Sequence, residues 1–165
     1  MTNEKTNETA AVAENTKAPG AVPPEKAKKQ PASQQQDDTN KRKALLVDDS
    51  FLIRRLQKEL LEKCGFAVTE TGNGKEGIDK ISELGIEFFS LIVVDLVMPV
   101  MNGVEFIIKT RQTFGDQLPP LLVCSSKADV DLIKKLASLG IKGYLVKPID
   151  PAQFTKKLKD LFPDT

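Results

Sequence analysis

Short apolar runs alternate along the chain with longer segments in which apolar residues recur every three or four positions. The most regular run is Leu91–Val94, four apolar residues followed directly by Asp95. An unbroken, largely β-branched run is typical of a strand that is buried on both faces. Met98-Pro99 and Asn102-Gly103 interrupt the pattern soon afterwards and predict a loop. We therefore expect Asp95 at the carboxyl end of a buried strand, which is the edge where ligands bind in open α/β sheets.

Five apolar runs each precede a stretch of helical periodicity, so the sequence predicts five strand–helix repeats. The predicted strands cover residues 43–47, 66–71, 90–95, 121–124 and 142–146. The predicted helices begin near Ser50 as an N-cap, Gly74, Val104, Val130 and Pro151. The apolar residues of the first helix that follow this spacing are Leu52, Ile53, Leu56 and Leu60. Such repeats predict an α/β fold, a doubly wound parallel sheet covered by helices on both faces.

Residues 1–40 differ in composition from the rest of the chain. They contain no Leu, Ile, Phe or Tyr, and four prolines interrupt them. Such a segment cannot bury enough apolar surface to offset its chain entropy. We predict a disordered low-complexity tail at 1–40 and one folded domain at 41–165. The charges of the tail are mixed in sign, so the tail does not resemble a nucleic-acid-binding arm.

Charge and composition exclude several functions. The chain has 24 basic and 23 acidic residues, which predicts no general attraction to nucleic acid or to a membrane surface. No run is long enough to span a bilayer, and no secretory signal opens the chain, so we expect a cytoplasmic protein. The absence of histidine removes histidine-based general-base triads and most zinc sites. Cys124, inside an apolar run, is interpreted as a core residue.

Three carboxylates follow predicted strands: Asp48 and Asp49 after the first, and Asp95 after the third. In a doubly wound sheet of order 2-1-3-4-5, strands one and three are neighbours, so these acids would converge. Converging carboxylates repel one another unless a cation joins them, and oxygen-only ligands favour Mg²⁺. Ser125 after strand four and Lys147 after strand five lie on the same edge and could bind phosphate oxygens. Asp95 is then a candidate nucleophile towards phosphorus.

These residues carry a resemblance to a known family. The region from Lys41 to Phe162 resembles a response-regulator receiver domain of two-component signalling, of the single-domain, chemotaxis-regulator-like kind. The resemblance rests on Asp48-Asp49, on Asp95 within D-x-x-M-P-x-M-N-G, on Ser125, and on Tyr144 three residues before Lys147-Pro148. It implies a flavodoxin-like sheet of order 2-1-3-4-5. Ser126 stands where the family often has Ala, a departure that affects access for the phosphoryl group.

The resemblance also implies a role for each site residue. Asp95 would accept the phosphoryl group, assisted by Lys147 and Ser125, and Ser125 with Tyr144 would form the switch pair. The implied Mg²⁺ ligands are Asp48, Asp49, Asp95 and the backbone carbonyl of Val97. The implied donor is a histidine kinase or histidine phosphotransfer protein. The implied output is a downstream protein that binds the face made by helix 4, strand 5 and helix 5.

Other functions remain open at this point. The chain could pass the phosphoryl group onward as a phosphorelay intermediate, or bind partners as an unphosphorylated scaffold. A Mg²⁺-dependent phosphohydrolase would also use an aspartyl nucleophile, but such enzymes place a second Asp where this chain has Val97. No output domain is expected after Phe162. The glycine-rich segment 72–75 has the wrong spacing for a phosphate-binding loop and predicts only a turn.

Overall fold

The computed structural model describes residues 40–164 and contains one five-stranded parallel sheet of order β2-β1-β3-β4-β5. The strands are β1 (Arg42–Val47), β2 (Phe66–Thr71), β3 (Leu91–Val94), β4 (Leu121–Ser125) and β5 (Gly143–Val146). The helices are α1 (Phe51–Lys63), α2 (Gly74–Leu84), α3 (Gly103–Phe114), α4 (Val130–Ser138) and α5 (Pro151–Leu161). The predicted fold class and strand order are confirmed. The predicted tail, apart from Asn40, lies outside the described residues.

Apolar side chains cover both faces of the sheet. Successive residues of a strand point to opposite faces, so Leu45 and Leu46 of β1 belong to different core clusters. Helices α2, α3 and α4 pack on the face of Leu45, and α1 and α5 pack on the face of Leu46. All four residues of β3 are fully buried, as its apolar run predicts. The carboxyl ends of the central strands are thereby held in a rigid frame.

Each helix begins at a side chain that accepts a hydrogen bond from the first turn. The cap of α3 is a complete capping box, in which Asn102 and Glu105 bond each other's backbone N–H groups. The N-caps are Ser50, Asn73, Asn102, Asp129 and Asp150. These caps fix the loops that leave the carboxyl ends of the strands. Residues 72–73 form the turn that was predicted in segment 72–75, and Gly74 and Lys75 are already the first residues of α2.

The predicted apolar face of α1 was wrong at one end. Leu52 is 75% exposed, whereas Gln57, a polar residue, is fully buried. The helix turns its 53-57-60-61 stripe towards the sheet, so Gln57 lies at its centre and Leu52 at its edge. Ser125 is the last residue of β4 rather than part of the following loop. No helix between residues 40 and 164 combines the length and apolar character needed to cross a bilayer.

Candidate functional site

Strand register brings the predicted acids together. Val47 of β1 is paired with Val94 of β3, so the next residues, Asp48 and Asp95, lie side by side. The N–H of Asp95 donates to the carbonyl of Val47 at 2.9 Å and continues the ladder beyond the strand. One carboxylate oxygen from each of Asp48, Asp49 and Asp95 lies within 4.8 Å of the other two. The convergence expected from the strand order is therefore observed.

Lys147 completes the cluster from the far side of the sheet. Its backbone N–H donates to the carbonyl of Ser125 at 2.9 Å, which anchors it beside the end of β4. Its Nζ lies 2.7 Å from Oδ2 of Asp48 and 2.7 Å from Oδ2 of Asp95. One ammonium group therefore bridges two carboxylates. The following bond, Lys147-Pro148, is a cis peptide.

The site carries more negative than positive charge. Burial raises the pKa of Asp48, and the neighbouring Asp95 adds to that rise. The hydrogen bonds from Lys147 and from the Ser50 N–H lower the pKa of Asp48 but do not cancel the rise. Burial lowers the pKa of Lys147, but its bonds to Asp48 and Asp95 outweigh burial and raise it. The site thus contains three carboxylates and one ammonium, which contacts Asp48 and Asp95 but not Asp49.

These residues fit a hard divalent cation. The uncompensated charge and the all-oxygen donor set match the preference of Mg²⁺, and the donors are close enough to share one ion. Val97 lies two residues after Asp95, and its N–H donates to Oδ1 of Asp95 at 3.2 Å. The role of the Val97 carbonyl as a ligand stays a prediction.

Ser125 and Tyr144 meet beside the cluster. The Ser125 side chain is fully buried, and its Oγ accepts a hydrogen bond from the N–H of Lys127 at 3.4 Å. Tyr144 is half-buried, and its hydroxyl donates to the carbonyl of Lys127. Burial raises the pKa of Tyr144, while its contact with Ser125 lowers it to a smaller extent. The two residues therefore share the β4–α4 loop as a common partner.

The loop between β3 and α3 owes its shape to Gly103. The N–H of Gly103 donates to the carbonyl of Leu96 at 3.1 Å. A Cβ atom at Gly103 would collide with the carbonyl oxygen of Asp95. Only glycine allows α3 to begin this close to the acceptor strand, which explains the Asn102-Gly103 pair in the sequence.

Apolar side chains occur in the loops and helix start beside the acids. Phe51 and Leu52 follow Asp49 closely and are 65% and 75% exposed. Val97 and Val100 follow Asp95 and are 47% and 82% exposed. Exposed apolar groups on a functional edge are typical of contact with another protein.

Sequence reasoning missed two polar residues near the site. Gln57 packs against Cys124 beneath the acids, and burial raises the pKa of the Cys124 thiol to about 12 despite this contact. Arg54 donates to the backbone carbonyl of Asp48. Both residues belong to α1. This helix contains several polar residues, and the sequence does not indicate which of them face the sheet.

Comparison with known proteins identifies the family. The response regulator receiver domain model matches residues 44–159. The chain belongs to this family, and it is similar to chemotaxis regulators of the CheY kind. Receiver domains are phosphoacceptor modules that receive phosphoryl groups on an Asp from histidine kinases or phosphotransfer proteins. They bind Mg²⁺ at an acidic pocket, and the Asp cluster of this chain could bind such an ion.

Individual relatives agree with this assignment. The chain is 29% identical to the chemotaxis protein CheY of Thermotoga maritima, over 68% of this chain and 90% of that protein. It is 30% identical to the transcriptional regulatory protein CrdR of Helicobacter pylori, over 72% of this chain but only 54% of that protein. The solved structure of Vibrio cholerae chemotaxis protein CheY4 superposes with a TM-score of 0.66 at 30% identity, covering 74% of this chain and 99% of that one. These comparisons confirm the resemblance to receiver domains that the sequence showed.

Proposed function

We propose that Asp95 accepts a phosphoryl group from a histidine kinase or histidine phosphotransfer protein and that the chain signals by phosphorylation-dependent protein binding. The observation that supports this most directly is the Lys147 ammonium, 2.7 Å from both Asp48 and Asp95 in a cluster of three acids. An ammonium so placed can bind an incoming phosphoryl oxygen without leaving the site.

The reaction needs a nucleophile, a charge partner and a leaving group. A carboxylate oxygen of Asp95 forms the bond to phosphorus, and the bond from phosphorus to the donor's histidine nitrogen breaks. The donor nitrogen keeps the electron pair and takes a proton on release. Lys147 and the Ser125 hydroxyl bind the transferred oxygens, and an aspartyl phosphate results.

A divalent cation belongs to this proposal. Asp48, Asp49, Asp95 and the carbonyl of Val97 would hold Mg²⁺, which neutralises phosphoryl charge when bound. Asp95, 6% exposed, is recessed, while the apolar residues beside it, such as Val100, are exposed. This arrangement favours a protein donor that contacts the edge of the site, and the chain has no histidine of its own.

Output follows from the switch pair. Phosphorylation draws Ser125 towards the new phosphoryl oxygens, and because Tyr144 and Ser125 share the β4–α4 loop, α4 and β5 respond. A protein that prefers the resulting α4–β5–α5 face then binds by population shift. Val130 and Val146 on this face are 62% and 48% exposed, and Lys135 and Lys156 add positive charge.

The same proposal limits other activities. Val97 offers no acid for turnover of foreign phosphoesters, so activity is confined to self-phosphorylation and slow loss of the phosphoryl group. The near balance of 24 basic and 23 acidic residues supports a role without nucleic acid or membrane surfaces, in the cytoplasm. Residues 41–165 form the receiver domain in this proposal, and residues 1–40 are an appended tail.

Phosphoramidate with Mg²⁺ tests the proposed acceptor. We expect intact-mass spectrometry to show one added phosphoryl group on the wild type and none on D95N, because the amide has no nucleophilic oxygen of comparable strength. D116N, which changes an exposed acid outside the cluster, is the matched control and should label normally. Chelation of Mg²⁺ should abolish labelling. Equal labelling of D95N and wild type would refute Asp95 as acceptor.

A further inference from the structure

The backbone carbonyl of Asp48 has a charged partner. Arg54, in the first turn of α1, donates from Nη1 to this oxygen at 2.6 Å. A hydrogen bond from a guanidinium is charge-assisted and stronger than one between neutral groups. The Arg54 side chain is only 18% exposed, so the bond is largely shielded from water. Arg54 therefore restrains the peptide group that joins Asp48 to Asp49.

Glu70 in turn orients Arg54. Its Oε2 lies 3.5 Å from Nε of Arg54, and its Oε1 lies 2.6 Å from Nζ of Lys58. Glu70 belongs to β2, opposite Leu46 of β1, so the contact joins α1 to the sheet close to the acids. The planar guanidinium can face the carbonyl and the carboxylate at once, whereas a lysine ammonium lacks this fixed geometry.

The position of the Asp49 carboxylate depends on the backbone more than that of the Asp48 carboxylate does. The Asp48 carboxylate is held by Lys147 and by the N–H of Ser50, at 2.7 Å and 2.9 Å. Within the described part of the chain, the Asp49 carboxylate has no hydrogen bond or ion pair, and the residue is exposed. Its place in the cluster is therefore set by the start of α1 and by the peptide that Arg54 restrains.

We propose that Arg54, oriented by Glu70, is a positioning residue for Mg²⁺ binding by the Asp48–Asp49 pair. This inference rests on the metal site of the proposed function. Arg54 exerts two effects of opposite sign on a divalent cation. Its charge repels the ion, while its hydrogen bond places the ligands. A substitution that removes both the charge and the hydrogen bond of Arg54 shows which effect on the Mg²⁺ affinity is larger.

Calorimetric titration of Mg²⁺ into the full chain provides the test. We expect R54Q to bind Mg²⁺ about tenfold more weakly than wild type, the size of effect typical of a group that orients metal ligands. R54K keeps the charge but loses the planar geometry, and it should restore only part of the affinity. R55Q is the matched control, because it removes the same charge from the same helix. Arg55 pairs with Glu59 instead. Unchanged or tighter binding by R54Q would overturn the inference.

The second readout separates positioning from damage to the fold. In phosphorylation by phosphoramidate, R54Q should need about tenfold more Mg²⁺ for half-maximal rate, by the same loss of affinity. Its maximal rate at saturating Mg²⁺ should stay close to that of wild type. A lower maximal rate with an unchanged Mg²⁺ requirement would indicate a purely structural role and overturn the inference.

A double mutant tests the part assigned to Glu70. If Glu70 acts through Arg54, R54Q/E70Q should bind Mg²⁺ no more weakly than R54Q alone, and additive losses would contradict this coupling. Wild-type protein that binds no Mg²⁺ would instead refute the metal site of the proposed function and, with it, this inference. Wild-type binding with an unaffected R54Q would refute the inference alone.

Discussion

Val100 adopts a backbone conformation that its side chain disfavours. Its φ is 67°, in the left-handed region, and it is the one non-glycine residue with positive φ among residues 40–164. A β-branched side chain is a rare occupant of this region, because its Cβ crowds the following carbonyl. The side chain is also 82% exposed, so little packing within the domain compensates for the strain. Val100 lies in the loop beside the acceptor, where stored strain is common.

Replacement of Val100 by Asn should stabilise the protein. Asn tolerates the left-handed region, so we expect V100N to raise the free energy of unfolding by about 1 kcal/mol. Chemical denaturation of V100N and wild type measures this difference. V130N, which changes another exposed valine with ordinary φ, is the control and should bring no such gain. A destabilised V100N would show that the loop uses the valine side chain for packing.

Helix α1 combines an apolar stripe with one buried amide. Within the described residues, neither side-chain atom of Gln57 has a hydrogen-bond partner of acceptable geometry, although the Cys124 thiol lies against it. An unpaired buried amide costs free energy, since it loses its bonds to water on folding. Apolar contacts thus stabilise the packing of α1 against the sheet, and the unpaired amide at the centre of the stripe weakens it.

Substitution of Gln57 by Leu should therefore strengthen the packing of α1. The side chains are similar in volume and Leu has no polar atom to leave unpaired, so we expect Q57L to stabilise the domain by about 1–2 kcal/mol. Thr110 provides a matched comparison, because it is equally buried but bonds the carbonyls of Phe106 and Ile107 at 2.8 and 3.1 Å. T110V should give no gain in the same denaturation experiment. A loss of stability in Q57L would mean that the amide has a partner, such as a buried water.

At the scale of the whole molecule, the acidic cluster links folding to pH and Mg²⁺. The pKa of Asp48 is raised above 3.8 in the folded state, chiefly by burial. The folded state therefore binds the Asp48 proton more tightly than the unfolded state does. The stability that this proton contributes is present below pH 3.8 and is lost as pH rises through the folded pKa. At neutral pH without metal, ionised Asp48 is thus a net cost to folding.

D48N should remove this cost together with the metal site. At pH 7 in a chelator we expect D48N to melt roughly 3 °C above wild type, with the difference vanishing as pH falls towards the ordinary pKa of Asp. Mg²⁺ should raise the melting temperature of wild type in proportion to the logarithm of its concentration, and that of D48N much less. D116N should follow wild type in both series. A D48N that melts below wild type at pH 7 would show that its bond to Lys147 outweighs the cost of burial.

Much of the fold followed from local pattern. Apolar runs and helical periodicity predicted all five strands and five helices, because these signals arise from neighbours within a few residues. The candidate site residues at the strand ends could also be predicted, because Asp48, Asp95 and Lys147 each follow an apolar run directly. Their roles came from resemblance to receiver domains, and the family match supports that resemblance.

Tertiary structure decided the rest, because it brings together residues that the sequence keeps far apart. The pairing of Val47 with Val94 set Asp48 beside Asp95, and Lys147 reached Asp48 across 99 residues. The rotation of α1 about its axis, which depends on the sheet beneath it, buried Gln57 and exposed Leu52. The same rotation turned Arg54 towards the Asp48 carbonyl. A single sequence states which residues a helix contains, but only packing determines which of them face the site.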